Sequence, residues 1–168
     1  MKEINQRRSI RKYTDRPVDK ETIEQILKAA MQAPSAGNQQ PWEFLVIQNK
    51  EMLQKLSGLS PYATPLSGAA AAIIVIKKTD HMAFAEYADQ DLSACTQNIL
   101  LEACHLELGT LWLGAAPLSE RITYIRNLFS LPENLEPFSV IALGYPPEGK
   151  GNRFIDRYDA DRVHFEKL

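Results

Sequence analysis

Ala69-Ala70-Ala71-Ala72-Ile73-Ile74-Val75-Ile76-Lys77 sets the architecture of this chain. The run is continuously apolar and β-branched toward its end, with no alternation of polar residues, which is the pattern of a central strand covered on both faces. It falls far short of the ~20 residues a membrane helix requires. Helices must therefore flank the sheet on each side. Working upstream, residues 43–48 form a short strand and 50–56 a helix, with Pro61 and Pro65 punctuating the approach to the central strand. Before them, Ile23, Ile26, Leu27, Ala30 and Met31 recur at helical spacing behind Asp19, a natural N-cap, and this helix must stop at Ala33 because Pro34 disfavours helical geometry in the residue before it.

Downstream, residues 84–108 are the longest helical candidate, and the second half is apolar almost all round. Such a helix must be nearly surrounded, and a domain of 168 residues has little room to enclose one, so a second copy of the chain is expected to cover part of it. Strands at 110–114 and 139–143 and a helix at 120–128 complete the core. After Gly144-Tyr145-Pro146-Pro147 the chain is polar and must lie along another surface, its own or a partner's. The whole of 1–168 reads as one α+β domain with a mixed central sheet.

A formal net charge of -2 argues against nucleic acid as a partner, because that contact needs a clustered basic surplus. The charged N-terminus does not read as a secretory signal, and a cytoplasmic location is expected. Cys95 and Cys104 stand nine residues apart in one helix and so on opposite faces; with His81, His105 and His164 scattered, no metal site is expected.

Neither a Rossmann fingerprint, nor a P-loop, nor a nucleophile elbow is present, so the chain offers little side-chain chemistry of its own and is suited to delegating a reaction to a bound cofactor. Two segments stand out. Arg7-Arg8-Ser9, with Arg11 two residues on, can hold a phosphate through planar forks of donors that stay charged. Pro34-Ser35-Ala36-Gly37-Asn38-Gln39-Gln40-Pro41-Trp42 reads as a loop shaped for a flat ligand. Taken singly, the first is ordinary solvated surface and the second an ordinary helix-ending loop. Together they are far more specific.

These segments, with Leu108-Gly109-Thr110-Leu111-Trp112-Leu113-Gly114, Leu143-Gly144-Tyr145-Pro146 and Asp156-Arg157-Tyr158, give the chain a resemblance over essentially its whole length to the nitroreductase-like, FMN-dependent oxidoreductases. The resemblance implies a three-layer sandwich and an intertwined homodimer with swapped C-terminal tails and two FMN sites at the interface. It assigns Arg7, Arg8 and Ser9 to the FMN phosphate and ribityl, and Arg11 to the pyrimidine edge of the flavin, where a cation stabilises charge near N1 and O2. Pro34, Ser35, Ala36, Asn38 and Gln40 would contact the flavin from the other subunit. Leu113 and Gly114 would pass close to the ring near N5, and Arg157, or less readily Arg153, would close over the phosphate.

The implied activity is ping-pong hydride transfer from NAD(P)H through the flavin to a nitroaromatic, quinone or similar small acceptor, with no catalytic side chain of its own. The chain is short and lacks the inserted helices that roof the substrate pocket in larger members. Glu107 stands where a glycine is common, a departure expected to affect packing alone. Other readings are a specialised flavin reaction of the same family (dehalogenation, flavin destruction, azoline oxidation), a non-catalytic flavin-binding or regulatory dimer, and a structural dimer without cofactor.

Overall fold

The structure, a computed structural model, describes residues 2–167. Its elements are α1 (Lys2–Gln6), α2 (Lys20–Ala30), β1 (Trp42–Ile47), α3 (Lys50–Leu56), β2 (Ala71–Lys78), α4 (Ala88–His105), β3 (Gly109–Gly114), α5 (Ser119–Phe129) and β4 (Leu135–Gly144), with short 3-10 turns between them. The strands form one sheet in the order β1-β2-β4-β3.

Alternation along the strands builds the three layers. Ala71, Ile73 and Val75 of β2 join Ile141 and Leu143 of β4 on one face, packed against Ile23, Ile26, Leu92 and Ile99 of α2 and α4. Ala72, Ile74 and Ile76 point the other way with Val140, Ala142, Leu111 and Leu113, against Leu53, Leu56 and Ile125 of α3 and α5. Residues 71–76 of β2 are all buried, so the continuous apolar run reflects cover on both faces.

The sheet is not mixed as expected. All three strand pairings are antiparallel, and among the described residues the parallel pairing is a single bridge between Ser9 and Thr110. An apolar run reports burial of both faces, and helices supply that whichever way the neighbouring strands run. At Pro137, which has no N–H to give the ladder, the register shifts, and the Phe138 carbonyl instead accepts from both Ala115 and Ala116.

Asp19 caps α2 as expected, accepting from the Thr22 amide at 2.8 Å. The long helix is shorter than its apolar pattern, because residues 85–87 form a 3-10 turn before α4 begins. Its apolar half is covered mostly by its own chain: Asn98 donates to the Ala29 carbonyl of α2 at 3.0 Å, and Leu92, Cys95, Ile99 and Ala103 face the sheet. A narrow stripe of Ala94, Gln97, Leu101 and Cys104 is left partly or fully exposed.

Glu107 also differs from its expectation. It is the residue after the cap of α4, in left-handed conformation (φ 63°), donating to Cys104 while the Leu108 amide reaches back to Ala103 at 2.8 Å. This helix-ending geometry favours glycine for backbone reasons rather than packing. The tail from Arg153 to Lys167 is exposed throughout, including Phe154, Tyr158 and Phe165.

Candidate functional site

After α1 the chain straightens into an arm strapped to the β3 edge. Ile10 donates to the Thr110 carbonyl at 2.8 Å, Thr14 to Tyr145 at 2.8 Å, and the Tyr13 hydroxyl to the Ile10 carbonyl at 2.7 Å; burial pushes the Tyr13 phenol's pKa up. Asn152, which sequence reading passed over, staples the arm from the far end of the chain. Its side chain accepts from the Arg8 amide at 3.0 Å and donates to the Leu108 carbonyl at 2.9 Å, while the Arg153 amide donates to Gln6 at 2.8 Å.

This stapling gathers cations from both ends of the sequence. Arg8, Ser9, Arg11, Lys150, Arg153 and Arg157 line one open cavity of about 640 Å³. No ion pair links any of these cations, or Arg7, to a carboxylate among the described residues. Burial, and then the charges of Arg157, Arg7 and Arg153, push the pKa of the Arg8 guanidinium down. Its terminal nitrogens donate to backbone carbonyls, including Asn5 at 2.7 Å, but its buried Nε has no partner. Unrelieved like charge and an orphaned donor are what a bound phosphate dianion would satisfy. Arg153 and Arg157 both face this cavity, whereas Arg7 adds charge without lining it. Lys150 joins them with no sequence signal beyond its position in a Gly-rich turn.

Arg11 also borders a second cavity of about 310 Å³ beside β3, with Tyr62, Trp112 and Leu113. The two cavities thus share the Arg11 side chain, one lying among the cations and the other along the sheet edge. Gly114 ends that strand, its carbonyl accepting from Arg121 at 2.8 Å; a Cβ there would meet only the Ala116 carbonyl, at an ordinary 3.5 Å. Packing within one chain therefore does not demand glycine at this position.

The loop at 34–40 is built with unusual backbone. Gly37, Asn38 and Gln40 all have positive φ (55°, 57° and 47°), a conformation that glycine and asparagine take readily and that is costly for Gln40. The Ser35 hydroxyl accepts from the Gln40 amide at 3.0 Å, and the Gln40 side chain donates to Asn38 at 3.0 Å. Asp91, buried at the start of α4 and not singled out from sequence, accepts from the Ala36 amide at 3.0 Å and from the Gln39 side chain at 2.7 Å.

Within one chain this loop does not meet the arginines. It precedes Trp42, which pairs with Lys77, whereas Ser9 pairs with Thr110, which faces Leu143 and through it Ala71. Four strand spacings and six residues along β2 put the two segments at opposite corners of the sheet, roughly 28 Å apart. Helix α4 gives a second ruler: about 21 Å of helix separates Asp91, at the loop, from His105, which lies 3.1 Å from Glu3 at the arm. One flavin held by a single chain cannot touch both.

A sequence profile of the nitroreductase family matches residues 4–63 and 60–145. The chain is 49% identical to a Methanothermobacter thermautotrophicus protein provisionally named NADH dehydrogenase/NAD(P)H nitroreductase, over 98% of this chain and 85% of that one. Among solved structures, it superposes on a provisionally named NADH oxidase from Clostridium acetobutylicum with a TM-score of 0.96 and 51% identity, covering 99% of both chains. It also superposes on an FMN-dependent nitroreductase from Clostridium difficile with a TM-score of 0.89 and 31% identity, covering 99% of this chain and 98% of that one. The three-layer fold is thus that of a known group, and the chain belongs to the nitroreductase family.

Proposed function

We propose that this protein is an FMN-dependent NAD(P)H oxidoreductase that works as a homodimer and reduces nitroaromatics, quinones or related small acceptors. The observation that carries the reading is the cavity in which Arg8, Arg11, Arg153 and Arg157 converge with no carboxylate partner among the described residues. The named cofactor dependence of the C. difficile relative supports it. Bound FMN would supply hydride acceptance and donation at its N5 atom.

The chain's own residues would bind, orient and tune that group. Arg8, Ser9, Arg153 and Arg157 hold the phosphate. Arg11, between the two cavities, sets its charge against the pyrimidine edge, and Leu113 and Gly114 offer a flat strand end on which the ring can rest. No side chain is assigned a proton-transfer role, since water can supply protons once the flavin is reduced.

Distance supports a second subunit. Ser35, Asn38 and Gln40 lie too far from the arginines of their own chain, so Pro34, Ser35, Ala36, Asn38 and Gln40 would serve the partner's flavin. The exposed Phe154, Tyr158 and Phe165 give the tail an apolar side to lay on the partner.

The test is a visible spectrum after loading with FMN and desalting, followed by anaerobic NADH or NADPH. Retained flavin that bleaches is expected. Arg8→Ala should weaken FMN binding by about 10- to 100-fold, the scale of a lost charge-assisted contact. A colourless parent, with Arg8→Ala indistinguishable from it, would falsify the assignment.

A further inference from the structure

We propose that Phe84 is a specificity-determining residue: the aromatic wall of the acceptor cleft, which favours flat, stackable acceptors. The inference rests on the flavin reading above and names what that site selects.

The structure builds Phe84 onto the loop at 34–40 with more care than an exposed side chain needs. The Gln39 side chain grips the Phe84 backbone in both directions, accepting from its amide at 3.0 Å and donating to its carbonyl at 2.9 Å. The Gln39 side-chain nitrogen also donates to buried Asp91 at 2.7 Å, so Gln39 is a strut between Phe84 and α4. The Phe84 ring lies on Gly37, where any Cβ would clash with the ring carbon Cε2, and Gly37 is itself left-handed. Gln39 and Gly37 of the loop, with Asp91 of α4 behind Gln39, thus hold this one aromatic residue against the loop at 34–40.

That ring is nevertheless 41% exposed. A large aromatic held rigidly and left half in water is poised to receive another flat surface, at low cost in side-chain entropy. The loop that carries it is the one that would reach the partner's flavin, so a planar acceptor lying on the flavin would have Phe84 at its edge or opposite face. In a chain without the inserted helices of larger members, this ring takes up the roofing role. The strained backbone at Gln40 is then the strain of a loop held in place for ligands.

The test uses the FMN-loaded dimer with two acceptors: menadione, a flat quinone, and ferricyanide, an octahedral anion that cannot stack. Phe84→Leu keeps an apolar cover over Gly37, and Phe84→Tyr keeps the stacking face. For Phe84→Leu the ratio of kcat/KM for menadione to that for ferricyanide should fall about tenfold, chiefly through the menadione KM, while flavin content stays at parental level; Phe84→Tyr should restore the ratio. An unmoved ratio in Phe84→Leu would overturn the inference. So would flavin loss or dissociation to monomer in which both acceptors decline together, since that would mark Phe84 as a structural contact. A parent that neither retains nor bleaches flavin overturns the underlying reading instead, and is recognised before any variant is measured.

Discussion

Gly109 and Ile10 are packed so closely that a Cβ on Gly109 would stand 2.7 Å from the Ile10 Cβ. This contact seats the N-terminal arm on β3, and with it Arg8, Ser9 and Arg11. The Gly109→Ala protein should be destabilised by about 1–3 kcal/mol, the cost of overpacking a well-filled site. It should also hold FMN less tightly, because the arm must shift. Thermal melts with and without FMN separate the two effects, and unchanged flavin affinity would break the link between this contact and the site.

Asn152 joins the arm to the loop before β3 by two hydrogen bonds. Asn152→Ala strands the Arg8 amide and the Leu108 carbonyl, each partly buried, at a cost of roughly 1–3 kcal/mol. Fluorescence titration with FMN should report weakened binding although no cation has been removed.

Replacing Glu107 by glycine should stabilise the protein by up to about 1 kcal/mol, since a left-handed position at the end of α4 suits a residue without a Cβ. A chemical denaturation midpoint that moves down would contradict the backbone explanation for this position.

Three carboxyls are held below their ordinary range: Glu3 by a backbone amide and then His105, Asp19 by the Thr22 amide and hydroxyl, and Glu51 by Lys55. A depressed folded pKa contributes stability that is fully present above the unfolded value and is lost as pH falls through the folded one. The melting temperature should therefore be flat from neutral pH down to about 5 and fall below about 4, the range in which such groups gain protons.

Both cysteines are free, and burial pushes the Cys95 thiol up to about 12 and the Cys104 thiol up by a lesser amount. At pH 8 neither is an effective thiolate. A disulfide reagent should label the native protein slowly, at Cys104 first, and both thiols promptly in denaturant.

The legible parts of this chain are those whose cause is local. Asp19 announces α2 because its side chain caps the amide three residues on, and Ala71 to Ile76 announce a central strand because every one of them is apolar. Arg8, Ser9 and Arg11 could be singled out because few residue types serve a phosphate. Strand direction was not legible, since burial is indifferent to it. The shortened start of α4 was not either, because residues 84–87 carry no breaker to mark the 3-10 turn. Asn152 and Asp91, and the strut role of Gln39 within the quoted loop, were not legible because their work is done largely for backbone groups distant in sequence.

By itself the sequence determined the layers and one central strand buried on both faces, because periodicity acts over a few neighbours, and it marked the arginine arm and the loop at 34–40 as candidates by residue chemistry alone. Only the tertiary structure decided that Arg8, Lys150, Arg153 and Arg157 share one cavity and that the loop at 34–40 stands at the far corner of the sheet from them. The antiparallel pairing sets those distances, and pairing is a choice among long-range contacts that no local stretch encodes.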